Sequence, residues 1–129
     1  MTRGLKPATI VTGTSPVTAV PKAPSYLSKD AKAEWRKIAP IIVNERKVLT
    51  VADLAAFENY VIAVAMMRQA ARDVQANGNV LPNGKRNPAS TALVQMMQQH
   101  LRAAGELGLT PAARSRAVMA AGDDDEDFL

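Results

Sequence analysis

Between Val51 and Ala76 the chain runs for 26 residues without a glycine or a proline, and no other feature restricts its fold as much. A stretch of this kind reads as one helix, because nothing in it supplies a turn conformation or removes a backbone donor. At 1.5 Å per residue the helix is roughly 39 Å long, which is long for a chain of 129 residues. Thr50 and Asp53 have the spacing of an acidic capping box at its start, and Asn77 with Gly78 supplies a left-handed stop at its end. Within it, Tyr60 to Met67 is apolar around most of the circumference rather than along one stripe. Such a segment needs cover on more than one side.

The nearest cover lies downstream. Asn87 followed by Pro88 is an N-cap with proline at the first helical position, and Leu93, Met96, Met97, Leu101 and Ala104 then recur at helical spacing. Two long helices joined by residues 77–87 fold back as an antiparallel hairpin, since short connections make neighbours. Pairing about Pro82 sets Met66 and Met67 against Met96 and Met97, so a methionine cluster is predicted in the hairpin. In the loop, Asn83 and Gly84 give a second turn, and Val80 with Leu81 has the composition of a small β-tongue.

Two shorter helices flank the hairpin. Ser28 is a good N-cap for a helix to about Ala39, with Ala31, Trp35, Ile38 and Ile42 on one core-facing side. Pro40 breaks or kinks it, and a turn through Ile41 to Arg46 follows. Gly108 ends the second long helix with Leu109 beyond the cap, and Thr110 with Pro111 starts a fourth, short helix carrying Arg114, Arg116, Val118 and Met119. Residues 1–25, with four prolines, three bases and no acid, read as a flexible basic arm. Residues 26–121 form the helical domain and 122–129 an acidic tail, disordered in isolation. The fold class is all-α: short N-terminal helix, long antiparallel hairpin, short C-terminal helix, disordered arm and tail.

Charge is segregated along this layout. The formal net charge is +4, yet five of the twelve acids are consecutive at Asp123, Asp124, Asp125, Glu126 and Asp127. Residues 1–122 therefore hold sixteen bases against seven acids, or +9. A basic body suits a polyanion, and the tail suits something basic or shields the body's own charge; an ordinary solvated surface with a solubilising tail is the competing reading. Lys29, Lys32 and Arg36 fall at i, i+3 and i+7 opposite the core side of the first helix and are joined by Lys37, a basic flank to which the arm adds Arg3, Lys6 and Lys22. Lys85 and Arg86 in the loop come second as phosphate contacts, against an ordinary solvated loop.

Catalytic chemistry finds no residues. The single His100 has no second histidine with which to share a metal and reads as a packing residue. There is no phosphate loop with its lysine and no Ser, His and Asp constellation, and the tail carboxylates lack the glycine turn of a calcium loop. With no cysteine, disulfides and thiolate metal sites are excluded. The expectation is a protein that is not an enzyme and takes no cofactor or metal. No apolar run reaches the roughly 18 residues of a membrane span, and the N-terminus lacks the pattern of a secretory signal.

The apolar surface of the long helix exceeds what two short helices and one partner can cover, and such a surplus marks subunit contacts. Self-association through Tyr60, Val61, Val64, Met67, Leu93, Met97 and Leu101 is therefore expected.

The order Pro24, Leu27, Ala31 and Trp35, then Leu49, Thr50, Asp53 and Tyr60, then Gly78, Gly84, Asn87 and Pro88, then Leu107, Gly108, Leu109, Thr110, Pro111, Arg114 and Arg116 resembles the P27 family of phage terminase small subunits over about residues 24–120. The stretch Leu-Gly-Leu-Thr-Pro-Ala-Ala-Arg-Ser-Arg is its most specific part. The resemblance implies a viral DNA-packaging component of the host cell cytoplasm. It would form a ring-shaped homo-oligomer, recognise double-stranded phage DNA, and regulate a large subunit that carries the ATPase and nuclease. The tail, with Phe128 and Leu129 at its end, is then the candidate contact with the large subunit. The reading from another class is a small helical transcriptional regulator that binds an operator as a dimer.

Overall fold

The computed structural model describes residues 15–47, 49–116 and 118–119. The first helix, α1 (Lys29–Pro40), is capped by Ser28, whose Oγ accepts from the Ala31 amide at 3.3 Å. Ala31, Trp35 and Ala39 are buried on its inner face with Ile38 partly so, and Glu34 is buried beside them. Pro40 ends the helix because it brings no N–H to the next backbone bond. The chain passes into one π-helical turn (Ile41–Glu45), closed by the Arg46 amide on the Ile41 carbonyl at 2.9 Å. The wider turn puts Ile42 and Val43, adjacent in sequence, both into the core.

A 3₁₀ turn (Val51–Asp53) opens the long helix α2 (Leu54–Asn77). Asp53 Oδ2 accepts from the Thr50 amide at 3.1 Å and its hydroxyl at 2.7 Å, the acidic capping box expected there. Gly78, at φ +81°, leads into the tongue, where Val80 and Arg86 form a single antiparallel bridge. Asn87 then caps α3 (Pro88–Glu106), its Oδ1 accepting from the Ala89 amide at 3.0 Å. The same side chain reaches back, with Nδ2 donating to Asp73 Oδ1 and to the Gly78 carbonyl, each at 2.9 Å, so one asparagine ties the end of α2 to the start of α3. After α3, Gly108 at φ +72° takes the left-handed position, and Leu109 donates its amide to the Ala104 carbonyl at 2.8 Å. Residues 111–116 and 118–119 are helical (α4), with Thr110 Oγ1 accepting from the Ala113 amide. The described residues thus form an all-helical fold whose hairpin, flanking helices and caps follow the sequence.

Three packing features differ from expectation. Tyr60 meets His100 at 5.5 Å between ring centroids and Asp73 meets Asn87, so the hairpin folds about Val80 rather than Pro82. In that register Met66 and Met67 stand about one turn away from Met96 and Met97. Met66 lines a groove beside Tyr26, Leu27 and Ala31, whereas Met97 is half exposed on α3, and the predicted four-methionine cluster does not form.

Residues 15–25, read as part of a flexible arm, lie along the body. The Val17 amide donates to the Leu49 carbonyl at 3.0 Å, the Val51 amide to Ser15 at 2.9 Å, and Trp35 Nε1 to the Pro21 carbonyl at 2.8 Å. The physical reason is Trp35: a buried indole N–H needs an acceptor, and an extended proline-rich strand offers free carbonyls. The expected disorder of residues 1–14 and of the tail, 122–129, falls outside the described residues.

Finally, the apolar girdle of α2 is covered within one subunit except at Met66. Trp35, Phe57, Tyr60 and His100 form a ladder of rings that joins α1, α2 and α3, with centroids 4.4, 6.2 and 5.5 Å apart. Tyr60, Val61 and Val64, expected at a subunit interface, are core residues, because α1 and α3 close over them. Of the expected interface set, Met67 and Leu93 are partly buried, and Met97 and Leu101 are exposed.

Candidate nucleic-acid interface

The charges of α1 are sorted by side. Its two acids, Asp30 and Glu34, stand four residues apart and both turn onto α2, where Arg72 and Arg68 stand at the same spacing in the antiparallel direction. Asp30 Oδ2 is 2.5 Å from Arg72 Nη2, and Glu34 Oε1 is 3.0 Å from Arg68 Nη2. Glu34 is only 4% exposed, and its second oxygen accepts from the Tyr60 hydroxyl at 2.7 Å. The Arg72 hydrogen bond holds the Asp30 carboxyl below the usual carboxylate range. Burial, together with the hydrogen bond to Glu34, raises the Tyr60 phenol well above its ordinary value. A buried carboxylate is tolerable only when paired and hydrogen-bonded, which is the arrangement here.

Three of the four bases of α1, Lys29, Lys32 and Arg36, face the other way, whereas Lys37, seven residues after Asp30 and three after Glu34, stands on the side of the acids. Lys29, Arg36 and Lys37 are exposed and Lys32 is partly so, and none of them has an acid within ion-pair distance among the described residues. Since both acids of the helix are occupied inside, the outer flank shows positive charge without compensation. Lys22, from the arm, is exposed as well, while Arg3 and Lys6 fall outside the described residues. Because α1 runs antiparallel to α2, its N-terminal end lies toward the tongue, on which Lys85 and Arg86 are exposed. The tongue is held in shape by the Leu81 amide on the Lys85 carbonyl at 2.8 Å and by Ser90 Oγ on Asn79 Oδ1 at 3.0 Å. Both predicted basic clusters therefore sit toward one end of the hairpin.

The inner ion pairs were missed in the sequence, although a signal existed. Asp30 and Glu34 interrupt a basic helix at i, i+4, and Arg68 and Arg72, the only bases of the long helix, repeat that interval. Arg46, a third arginine used internally, donates from its guanidinium to the Gly108 carbonyl and fastens the π turn to the end of α3. Beside this contact lies a groove of about 650 Å³, with Ile42, Leu49, Leu107 and Val118 among its lining and Arg114 also beside it. Among the described residues no group of three or more His, Asp or Glu side chains is placed to hold a metal ion. No helix among them is long and apolar enough to cross a membrane.

A family model described as phage terminase, small subunit, matches residues 31–124, from inside α1 to the start of the acidic run. The chain belongs to the phage terminase small subunit family. No curated protein and no solved structure matches it significantly. Membership gives the terminase small subunit a role in phage DNA packaging and associates it with DNA and with the large terminase subunit, in a family that is typically non-catalytic. The matched range contains Lys32, Arg36, Lys37, the Glu34–Arg68 pair, the tongue and the Gly108 cap, while Lys29 and Asp30 lie just before it.

Proposed function

We propose that this small subunit recognises double-stranded viral DNA through the outer flank of α1, formed by Lys29, Lys32 and Arg36 and joined by Lys37, with Lys22, Arg3 and Lys6 of the arm adding contacts. Several copies act together as a closed ring in the host cytoplasm and regulate the ATPase and nuclease of the large subunit without catalysis of their own. The observation that carries this reading is the inward pairing of Asp30 and Glu34, which leaves the bases of α1 without an ion-pair partner among the described residues. Each phosphate neutralised releases counterions, so affinity falls steeply as salt rises. A ring multiplies modest contacts by raising effective concentration.

The test is duplex binding measured across a salt series. Reversing charge at Lys29→Glu, Lys32→Glu and Arg36→Glu together is expected to weaken binding by more than about tenfold and to flatten the log–log salt slope by about three. The helical circular dichroism should stay unchanged, because these side chains make no ion pair among the described residues. Retention of full affinity and slope would remove α1 as the site and transfer the role to Lys85 and Arg86 on the tongue.

A further inference from the structure

On α3, the apolar residues that do not meet α2 form a stripe of their own. Val94, Met97 and Leu101, at i, i+3 and i+7, are 49%, 48% and 60% exposed. This is the spacing of a helix-pairing seam, and just beyond it Gly105 has open space where a side chain would stand. The charge pattern around the stripe is as unusual as its exposure. From Asn87 to Leu101 there is no lysine, arginine, aspartate or glutamate, and the one titratable side chain, His100, is turned onto the Tyr60 ring.

Charge also selects the occupant. Nucleic acid has nothing to bind on this face, since phosphates need cations and the stripe offers none. Residues 1–122 carry +9, so copies of this chain repel one another over α1, the tongue and α4, each of which displays exposed bases. The charge-free flank of α3 is where like-charged copies approach without that penalty, and depletion of charge with enrichment in methionine is the composition of an interface centre. The 14 residues from Pro88 to Leu101, before Arg102, provide roughly 21 Å of uncharged helix for such a contact.

We propose that a second copy of this chain packs on the Val94, Met97 and Leu101 stripe of α3. The proposal rests on the multi-copy reading given above and names the surface that assembly uses.

The test uses the full chain at micromolar concentration, with native mass spectrometry and light scattering. The unmodified protein is expected to be multimeric. Met97→Glu and Leu101→Glu, separately and together, should lower the stoichiometry or raise the dissociation constant of assembly by at least about tenfold. Helix content should be retained, because neither side chain is buried in the subunit. Gln99→Glu, on an exposed part of the same helix away from the stripe, should leave assembly intact. The absence of native cysteine permits a direct reading of contact: a thiol introduced by Met97→Cys should react slowly with a maleimide in the assembly and quickly once Leu101→Glu is added. A monomeric unmodified protein would overturn the proposal. So would full assembly by the double variant, or equal dissociation by Gln99→Glu. Duplex binding measured alongside separates the two readings, since loss of binding on charge reversal in α1 concerns that helix and not the stripe.

Discussion

Glu34 shows how a single side chain organises this fold. Its carboxylate is closed off from solvent and fully engaged, with the Tyr60 hydroxyl on one oxygen and the Arg68 guanidinium on the other. Tyr60→Phe would leave one oxygen of a buried anion without a partner, and the cost is expected to be about 1–2 kcal/mol in chemical denaturation. The pH dependence follows from the raised phenol. A tyrosine held protonated more strongly in the folded chain than in the unfolded one contributes its full stabilisation below its ordinary value of 10.0. That contribution is lost as pH rises above that value, because the unfolded chain releases the proton first. The unmodified protein should therefore lose stability above about pH 10, and this alkaline component should be absent from Tyr60→Phe when unfolding is followed across pH. Asp73 works in the opposite direction. Hydrogen bonds from Asn87 and Asn77 lower its carboxyl, so its hold on the hairpin is complete at neutral pH and is lost as pH falls into the acid range.

Among the elements, the end of α3 is the most exacting. Gly108 sits at φ +72°, its carbonyl accepts from Arg46, and the following Leu109 closes the cap on Ala104. No atom blocks a Cβ at Gly108, so the difficulty with any other residue is the backbone angle alone. Gly108→Ala is expected to cost about 1 kcal/mol, read as a melting temperature lower by about 5 °C in a domain of this size. This cap, the Thr50–Asp53 box and the Asn87–Pro88 start are all legible in the sequence, because each is decided by a few neighbouring residues. Pro40 is legible as an end to α1. The π turn that follows, and with it the placing of Ile42 and Val43 in one core, depends on what the turn packs against.

For the whole molecule the question is how +9 on residues 1–122 and five consecutive acids after them share the work. The basic flank of α1 and the tongue lie toward one end of the hairpin, while α4 and the groove beside Leu49 and Leu107 lie toward the other. Under the DNA contact proposed for the first end, the acidic run that follows α4 in sequence is left for a second partner. Deletion of residues 123–129 is expected to abolish stimulation of the large subunit's ATPase, with native mass spectra showing an unchanged stoichiometry. Unchanged stimulation would reduce the tail to a solubilising segment. Local pattern gave only part of the surface available for assembly, naming Met97 and Leu101 but not Val94. Tyr60, Val61 and Val64 read as surplus apolar surface along α2, yet α1 and α3 close over them and leave Val94, Met97 and Leu101 outside.

The sequence by itself determined where helices begin and end, which residues cap them, that the two long ones pair, and that charge divides between body and tail. These properties are set by backbone angles, missing donors and side-chain spacing within a few residues. Only the tertiary structure decided which charges remain free and which apolar faces remain open. Whether Asp30 and Glu34 neutralise their own helix or a neighbouring one, and whether a methionine meets Met97 or solvent, depends on the rotation and register of one helix against another, and those are fixed by the packing of side chains that stand far apart along the chain.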